Sequence, residues 1–368
     1  MEITKIVITG GPCAGKTKAV KLVKEHFEAL GLTVLAIPET ATELILGGVT
    51  NEFVGSAENF QTCILGLQLE KERIFEKAAR MTGRDKALII CDRGTPDNSA
   101  YLSDKEYKAL ANRAGFSEFD LRERYDAVFH LETAAKSECD IYDLTSNSAR
   151  SESAAEAAEL DDRLISAYVG HPHFRIIRSE PDFQTKMTHL ISEISSFLGI
   201  PEPIETERKY LIEYPNISLL ESHPFCRGVD MVQTYLKADS GMSERVRKRY
   251  CGESTVYIHT AKKRLSDMSC YEYESRISEE EYLSLLERAD ENRAPIRKKR
   301  YCLVYDKQYF EIDVYPFWND RAIMEIELSG ENDSVNFPDF IKIIKEVTYD
   351  KEYKNASLAK KVKANENV

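Results

Sequence analysis

The chain has 368 residues, with 50 Lys and Arg against 62 Asp and Glu, which gives a formal net charge of −12. Its composition, 42% hydrophobic and 30% charged, is that of an ordinary globular protein and excludes a disordered chain, a fibrous repeat and an integral membrane protein. A chain of this length predicts about two domains, and the acidic balance argues against DNA as a partner.

The sequence shows no sign of export or membrane insertion. No basic leader followed by an apolar stretch opens it, and no apolar run approaches the roughly 20 residues of a membrane span. The 8 cysteines form no C-x-x-C pair, which predicts reduced thiols in a cytoplasmic protein. His171 and His173 flank a proline and are interpreted as turn and packing residues rather than as ligands.

Strand-like and helix-like segments alternate over residues 1–199. This alternation predicts an α/β domain with a parallel sheet and right-handed crossovers. Residues 137–159, rich in Ser, Ala and Glu, predict a lid-like insertion. The predicted strands are 5–9, 33–37, 87–91, 127–131 and 175–177, and the predicted helices are 16–30, 57–79 and 183–198.

A stiff linker follows, because Pro201 and Pro203 lie close together. We therefore predict two domains, 1–199 and 200–368. Short segments with period-two alternation recur from 204 to 328, separated by polar turns, which is typical of an antiparallel sheet or barrel. One helix, at 278–290, interrupts this mostly β domain, and another helical stretch closes the chain.

The first strand–helix junction carries a phosphate-binding pattern. Residues 10–17, GGPCAGKT, fit G-x-x-x-x-G-K-[ST] in that context. Backbone N–H groups of such a loop turn toward an anion, and the helix N-terminus adds partial positive charge. Lys16 is expected to reach the outer phosphates of ATP or GTP, and Thr17 to bind Mg²⁺. The predicted nucleotide-binding loop comprises Gly10, Gly11, Pro12, Cys13, Ala14, Gly15, Lys16 and Thr17.

Further polar groups are expected at the same edge of the sheet, where parallel strands end. Asp92 ends an apolar strand and is predicted to orient the metal ion. Arg93 follows it directly, which favours a kinase-like branch, and Glu39 follows the second strand. Asp97 is a weaker candidate. Arg150, in the lid-like insertion, is expected to act as an arginine finger or to be a solvated surface residue.

The second domain carries like charges at a spacing of two residues. Residues i and i+2 of a strand share a face, so each segment presents one sign of charge. Acidic pairs suit a hard divalent metal and basic clusters suit an extended phosphate chain; an open sheet with one solvated face is the alternative. The segments are Glu205-x-Glu207-x-Lys209, Arg245-x-Arg247-x-Arg249, Lys262-x-Arg264, Glu272-x-Glu274, Lys298-x-Arg300, Glu311-x-Asp313 and Glu325-x-Glu327.

These segments resemble the CYTH, or triphosphate tunnel metalloenzyme, superfamily over essentially all of 204–360. The resemblance begins with the E-x-E-x-K signature at 205–209 and extends to a closing helix around 347–359. It implies an eight-stranded antiparallel tunnel barrel that binds triphosphates with Mg²⁺ or Mn²⁺. Members of the superfamily include tripolyphosphatases, thiamine triphosphatases, RNA triphosphatases and one class of adenylate cyclases.

The first domain resembles the AAA-type phosphate-loop domain of the nicotinamide-ribonucleotide kinase family, on residues 9–17, 38–42, 91–94, 149–152 and 169–172. The whole order is most similar to the TRPL translocation defect proteins, which implies GTP binding and a link to phosphoinositides. Lys18 departs from the second Thr or Ser of many such loops. A plant-type fusion of a uridine-kinase-like domain to a tunnel domain, acting on pyrophosphate, is an alternative.

Two functions are compatible with these patterns. The first is metal-dependent hydrolysis of tripolyphosphate or of a nucleoside or organic triphosphate, beside an ATP- or GTP-binding domain that could also phosphorylate a small acceptor. The second is a nucleotide-regulated switch that reads phosphorylated ligands such as a phosphoinositide headgroup, with little or no turnover. The sequence has no obvious basic tract that would bind RNA, which argues against a role in RNA processing. The patterns do not predict an oligomeric state.

The tunnel resemblance assigns roles to the charged segments. The candidate catalytic groups of the two domains are Lys16, Asp92, Glu274 and Lys298. The predicted triphosphate-binding residues are Lys209, Arg245, Arg247, Arg249, Lys262, Lys298 and Arg300. The predicted metal ligands are Thr17 and Asp92 in the first domain, and Glu205, Glu207, Glu272, Glu274, Asp313, Glu325 and Glu327 in the second.

Overall fold

The computed structural model describes residues 2–136, 153–180, 182–200, 204–239, 242–264, 269–328, 330 and 333–366; for residues 204, 205, 264, 269–271, 361 and 364–366 only the backbone is described. The chain divides into two units, Met1–Ser192 and Glu193–Val368. None of the described helices is long and apolar enough to cross a bilayer.

The first unit is built on a parallel sheet, as its alternating segments predicted. Within the described residues the sheet has five strands in the order β2-β3-β1-β4-β5. Its central strands are buried along most of their length, because helices cover both faces of such a sheet. The strands are β1 (Glu2–Gly10), β2 (Thr33–Ile37), β3 (Lys86–Asp92), β4 (Ala127–Leu131) and β5 (Phe174–Ile177).

Seven described helices lie between these strands, and an eighth follows β5. They are α1 (Lys16–Ala29), α2 (Thr40–Leu46), α3 (Asn51–Val54), α4 (Ala57–Met81), α5 (Asp104–Arg113), α6 (Glu118–Glu123), α7 (Ala154–Tyr168) and α8 (Phe183–Phe197). Short 3₁₀ turns occupy Thr95–Tyr101 and Ala134–Lys136. The buried face of α1 is formed by residues at helical spacing, Ala19, Val23 and Phe27 among them, which is the periodicity that predicted it.

The predicted lid over 137–159 is wrong in its C-terminal part, which belongs to α7. Ser153 caps this helix, because its hydroxyl accepts from the Glu156 N–H while the Glu156 carboxylate accepts from the Ser153 N–H. The buried residues Ala157 and Asp161 then anchor α7 to the domain. Residues 137–152 lie outside the described part of the chain.

The second unit is a large antiparallel sheet. Within the described residues it has nine strands in the order β10-β9-β8-β7-β11-β12-β13-β6-β14, and β10 also pairs with β6. The strands are β6 (Ile204–Glu213), β7 (Cys226–Tyr235), β8 (Met242–Cys251), β9 (Ser254–Arg264), β10 (Ser269–Ile277), β11 (Ile296–Tyr305), β12 (Gln308–Val314), β13 (Arg321–Glu327) and β14 (Ile343–Glu346). Its helices are α9 (Ile217–Ser222), α10 (Glu279–Leu286) and α11 (Asn355–Glu366).

The prediction of eight strands is therefore corrected to nine. The additional strand, β14, is short and mostly exposed, so its residues carry no period-two signal. β6 is long enough to serve two neighbours on one side: its residues 204–206 pair with β10, and its residues 210–212 pair with β14.

Both faces of the strands around β6 are buried, by different means. Tyr210 and Ile212 of β6 belong to an apolar cluster on one face, together with residues of β11, β12 and β13. On the other face, Leu211 packs in a second cluster with Ile323 of β13 and Leu358 of α11. Lys209 and Glu207 share the face of Leu211 by their period-two spacing. This face therefore changes from charged to apolar along the strands, and α11 covers its apolar end.

Candidate functional sites

The phosphate loop joins β1 to α1 through backbone conformations that require small residues. Gly10 and Gly15 have φ of 146° and 87°, and a Cβ on Gly10 would lie 2.1 Å from the Leu131 carbonyl oxygen. Only glycine satisfies both constraints at that position. The loop thus turns sharply at the end of a buried strand and leads into the N-terminus of α1. Backbone N–H groups at a helix N-terminus favour the binding of an anion.

Lys16 is folded back onto this loop. Its side chain is 7% exposed, and its Nζ donates to the carbonyl oxygens of Gly10 at 2.9 Å and Gly11 at 2.8 Å. Burial, and then the nearby charge of Arg93, lower the Lys16 pKa to about 7. The negative charge of a bound phosphate would raise the Lys16 pKa again, because it favours the charged ammonium.

Asp92 ends β3 beside the loop. Its Oδ1 is buried and has no hydrogen-bond partner among the described residues. Burial, assisted by the charges of Glu39 and Asp97, raises the Asp92 pKa to about 6 against the opposing effect of Lys16. A buried carboxylate oxygen without a partner is a suitable ligand for Mg²⁺, or for a water molecule that Mg²⁺ holds. The donor chemistry at this position therefore fits the predicted metal ion.

Arg93 connects the ends of three segments around the loop. It has a φ of 70°, and its guanidinium donates to Glu39 Oε1 at 2.5 Å and to Asp97 Oδ2 at 3.1 Å. Asp97 Oδ2 also accepts from the Thr9 hydroxyl at 2.8 Å. Burial alone would raise the pKa of Glu39, but Arg93 and Lys16 lower it to about 2. Glu39 is consequently ionised and oriented at neutral pH.

The structure brings most of the residues predicted for the first site to one sheet edge. The loop, Lys16, Glu39, Asp92, Arg93 and Asp97 meet there through the contacts just described. Thr17 is exposed in the first turn of α1. Arg150 lies outside the described residues.

Sequence reasoning missed a buried carboxylate that holds the loop. Asp161 of α7 accepts from the Gly11 N–H at 2.8 Å, from His130 Nε2 at 3.0 Å and from Lys136 Nζ at 2.8 Å. Thr133 adds a hydrogen bond from its hydroxyl to the Pro12 carbonyl oxygen. No local pattern marks Asp161, because its partners are distant in sequence and converge only through the fold.

Of the two histidines interpreted as packing residues, His171 has that environment. His171 is buried, its Nε2 lies 2.9 Å from the Tyr125 carbonyl oxygen, and its Nδ1 accepts from the His173 N–H at 3.1 Å. Both ring nitrogens of His171 are thus occupied by backbone groups.

In the second unit, a first group of charges spans β6, β13, β12 and β11. The register places Glu207 opposite Glu327 and Lys209 opposite Glu325. Lys209 Nζ lies 2.6 Å from Glu325 Oε1. Burial would raise the pKa of Glu325, but Lys209 and Arg300 lower it well below its ordinary value.

Two buried cations of β11 complete this group. Arg300 donates to Asp313 Oδ1 at 2.7 Å and to Glu325 Oε2 at 3.0 Å, and it also contacts Glu311. Lys298 contacts Asp313. Burial, and then Arg300, lower the Lys298 pKa to about 8. The cations and carboxylates of these strands therefore compensate one another across the sheet.

A second group spans β8, β9 and β10. Lys262 Nζ lies 2.6 Å from Glu272 Oε2, and Arg245 lies 3.5 Å from the other oxygen. Glu274 contacts Arg247 and accepts from the Thr260 hydroxyl at 3.1 Å. Burial, and then Arg245, lower the Arg247 pKa to about 9. Arg249, further along β8, is fully buried.

The sequence pattern grouped charges by strand, and the structure places some of these strands beside a strand of opposite sign. Glu272 and Glu274 of β10 face Lys262 and Thr260 of β9, and Asp313 of β12 faces Arg300 of β11. Repulsion within these segments is thus offset by the neighbouring strand, whereas Glu311 lies opposite Glu325 and Glu207 opposite Glu327. The predicted triphosphate-binding residues form two such mixed groups rather than a purely basic surface.

The predicted metal ligands of the second unit have suitable chemistry but do not converge. Carboxylate oxygens are the donors that Mg²⁺ and Mn²⁺ prefer, and Glu207 and Glu327 oppose each other directly. No three Asp, Glu, His or Cys side chains of the described residues gather as a metal site, however. The side chain of Glu205 is not among those described.

Comparisons with known proteins support the reading of the first unit. The AAA domain family model matches residues 5–186. A search of curated proteins finds no match.

Similar solved structures include two that align with less than half of this chain. The inorganic triphosphatase NE1496 is 26% identical over 42% of this chain and 94% of its own, with a TM-score of 0.29. The PH1819 protein of Pyrococcus horikoshii is 17% identical over 34% and 80%, with a TM-score of 0.28.

A third solved structure aligns with a larger part of this chain. The thymidylate kinase of Ehrlichia chaffeensis is 14% identical over 54% of this chain and all of its own, with a TM-score of 0.37. With TM-scores this low, none of the three likenesses establishes a shared fold or activity. The family match identifies an AAA-type domain in residues 5–186.

Proposed function

We propose that the first unit binds ATP or GTP at its phosphate loop and that the second unit hydrolyses tripolyphosphate or a nucleoside or organic triphosphate. The observation that carries the second part is the pair of mixed charge groups on one sheet face. The lysines and arginines of these groups are paired with carboxylates, and the oxygens of a phosphate chain can take the place of those carboxylates as charged acceptors.

Closure of the sheet would turn this face into an interior. The pairing of β10 with β6 supports it, because it joins the two ends of the order β10-β9-β8-β7-β11-β12-β13-β6. β14 would then lie outside an eight-stranded ring. The apolar cluster of Leu211, Ile323 and Leu358 would close one end, so a phosphate chain would enter from the charged end.

The hydrolytic step can be written with this chain's own residues. Lys298, Arg300 and Lys209 would bind the phosphate oxygens in place of Asp313 and Glu325. A carboxylate released in this way, or Glu274, would accept a proton from water as the water oxygen attacks the terminal phosphorus. The bond between the terminal phosphorus and the bridging oxygen then breaks. The bridging oxygen leaves with the shortened phosphate chain, and the attacking oxygen remains in the orthophosphate that is released. A divalent metal, if bound by the acidic pairs, would supply further charge neutralisation.

The first site would bind the nucleotide through Lys16 and the loop N–H groups, with Thr17 and Asp92 toward Mg²⁺. Arg93 and Glu39 would face a second substrate at the same edge. A small hydroxyl-bearing acceptor would make the first unit a kinase, and water would make it a nucleoside triphosphatase. A cytoplasmic location stays a prediction.

The decisive experiment measures phosphate release from tripolyphosphate, pyrophosphate, ATP and GTP, each with Mg²⁺, with Mn²⁺ and with EDTA. We expect release from tripolyphosphate with metal, and its loss in Glu207→Ala and Lys298→Ala. Lys16→Ala should retain that release and lose nucleotide binding. Glu221→Ala, which removes an exposed carboxylate of α9, is the matched control and should behave as the wild type.

Full release by Glu207→Ala would contradict the assignment of the activity to the second unit. Release that persists in EDTA would contradict metal dependence while leaving the phosphate-binding face in place.

A binding switch is the second candidate function. The mutual pairing of cations and carboxylates favours it, since an anion could displace the carboxylates without any metal. The resemblance to the TRPL translocation defect proteins suggests a phosphoinositide headgroup as the ligand. Binding of phosphorylated ligands without release from any substrate would support the switch and exclude the hydrolase.

A further inference from the structure

Phe183 lies against the phosphate loop and is still open to solvent. It begins α8 and is 37% exposed. A Cβ built on Gly15 would lie 2.6 Å from its Cε2 atom, so the ring covers the glycine just before Lys16. Lys18 Nζ lies 5.9 Å from the ring centroid. An exposed aromatic ring is thus placed at the entrance to α1.

The first turn of α8 is fixed to the loop by a second contact. Lys186, one turn after Phe183, is buried, and its Nζ donates to the carbonyl oxygens of Ala14 at 3.2 Å and Glu132 at 2.6 Å. The position of the Phe183 ring relative to the loop is therefore set by hydrogen bonds as well as by its contact with Gly15.

The two sides of the loop differ in chemistry. The side of β2 and β3 carries the ionic network of Glu39, Arg93 and Asp97, which suits phosphates, metal or an acceptor hydroxyl. The opposite side, toward β4 and β5, leads to α8 and Phe183. A nucleoside triphosphate held by its phosphates extends its base to one side, and an aromatic ring stabilises a base by stacking.

We propose that Phe183 is the stacking surface for the nucleotide base at the first site. This inference rests on the proposed binding of a nucleoside triphosphate at the loop and names the residue that recognises its nucleoside part. Stacking is tolerant of base identity, because every base has a π-face. Phe183 therefore contributes affinity for ATP and GTP alike and none for inorganic tripolyphosphate, which has no base.

The test uses the full-length protein and a ribose-labelled fluorescent nucleotide. The first site is defined as the binding signal that Lys16→Ala abolishes, and unlabelled ATP, GTP and tripolyphosphate then displace the label. Phe183→Ala should weaken the binding of ATP and GTP by about tenfold or more. Its affinity for tripolyphosphate, measured by displacement, should stay within about twofold of that of the wild type. Phe183→Trp should restore the affinity.

Controls separate stacking from support of the loop. Phe53→Ala, at an exposed phenylalanine of α3, should change nothing. Phe183→Leu retains an apolar contact with Gly15 and should still lose ATP and GTP affinity; it replaces the alanine variant if that variant unfolds. An equal loss for tripolyphosphate, or no loss for any ligand, would overturn the proposal. Nucleotide binding that survives Lys16→Ala would instead contradict the proposed function itself.

Discussion

Single side chains of the first site are held in defined charge states by a few neighbours. Glu39 is ionised because Arg93 and Lys16 outweigh its burial, whereas burial outweighs Lys16 at Asp92. Two carboxylates at one sheet edge therefore have pKa values of about 2 and about 6. Groups separated in this way can take different roles in phosphate chemistry.

The depressed pKa of Glu39 predicts a pH-dependent contribution to stability. Its folded pKa of about 2 lies below its ordinary value of 4.5, so the contribution is present above about pH 4.5 and is lost as the pH falls toward 2. Glu39→Gln should destabilise by about 3 kcal/mol at most near pH 7 and by about 1 kcal/mol at pH 3. Urea unfolding followed by circular dichroism at several pH values measures the difference; a constant difference would contradict the ionised state.

Substitution of Asp161 is expected to reduce both stability and nucleotide affinity. Asp161→Ala would leave the Gly11 N–H, His130 and Lys136 without their shared acceptor. Since each buried unsatisfied donor costs about 1–3 kcal/mol, we expect a loss of about 3 kcal/mol or more in the free energy of unfolding. Asp162→Ala is the matched control, because Asp162 pairs with the same Lys136 but is exposed. Equal midpoints of thermal unfolding for the two variants would contradict this role.

At the scale of elements, long periodic segments were predictable and context-dependent ones were not. The parallel strands, α1, α4 and the period-two strands of the second unit follow from local patterns of burial. β14 does not, because a short exposed strand forms only where β6 offers it an edge. The segment 154–159 was expected to belong to a lid because its composition is polar and small, but the Ser153 cap and the buried face of α7 make it helical.

α11 gives a prediction for the second unit. Leu358 is buried against Leu211, Tyr235 and Ile296 at the apolar end of the charged face. Leu358→Ala should lower the free energy of unfolding by about 2–4 kcal/mol, since it leaves a cavity in this cluster. Lys360→Ala, on the exposed side of the same helix, is the control and should stay within about 0.5 kcal/mol. Chemical unfolding of both variants measures their free energies of unfolding, and equal losses would contradict the prediction.

At the scale of the whole molecule, the two proposed phosphate-binding sites differ in architecture and follow one another in the chain. One is a loop between a strand and a helix, and the other is a charged sheet face. Only the first depends on the N-terminus of a helix for its anion preference. The sequence predicted a domain boundary near residue 200, and the structure divides after Ser192. The division lies within α8.

The single tryptophan offers a way to follow the second unit alone. Trp318 is the only tryptophan of the chain and packs against Tyr315 and Tyr353. Tripolyphosphate at about 100 times its dissociation constant should stabilise the tryptophan-detected transition by about 2.7 kcal/mol. Lys16→Ala should show the same shift and Lys298→Ala should lose it. A shift that depends on Lys16 would contradict the independence of the two sites.

The sequence by itself determined what depends on neighbours along the chain: the phosphate loop, the order of an α/β unit before a mostly β unit, and the strands that carry one sign of charge. These features depend on the spacing of residues along the chain, because that spacing sets which residues share a face or a turn. Only the tertiary structure decided which strand lies beside which. Register paired Arg300 with Asp313 and Lys262 with Glu272, and long-range packing brought Asp161 to Gly11 and Phe183 to Gly15.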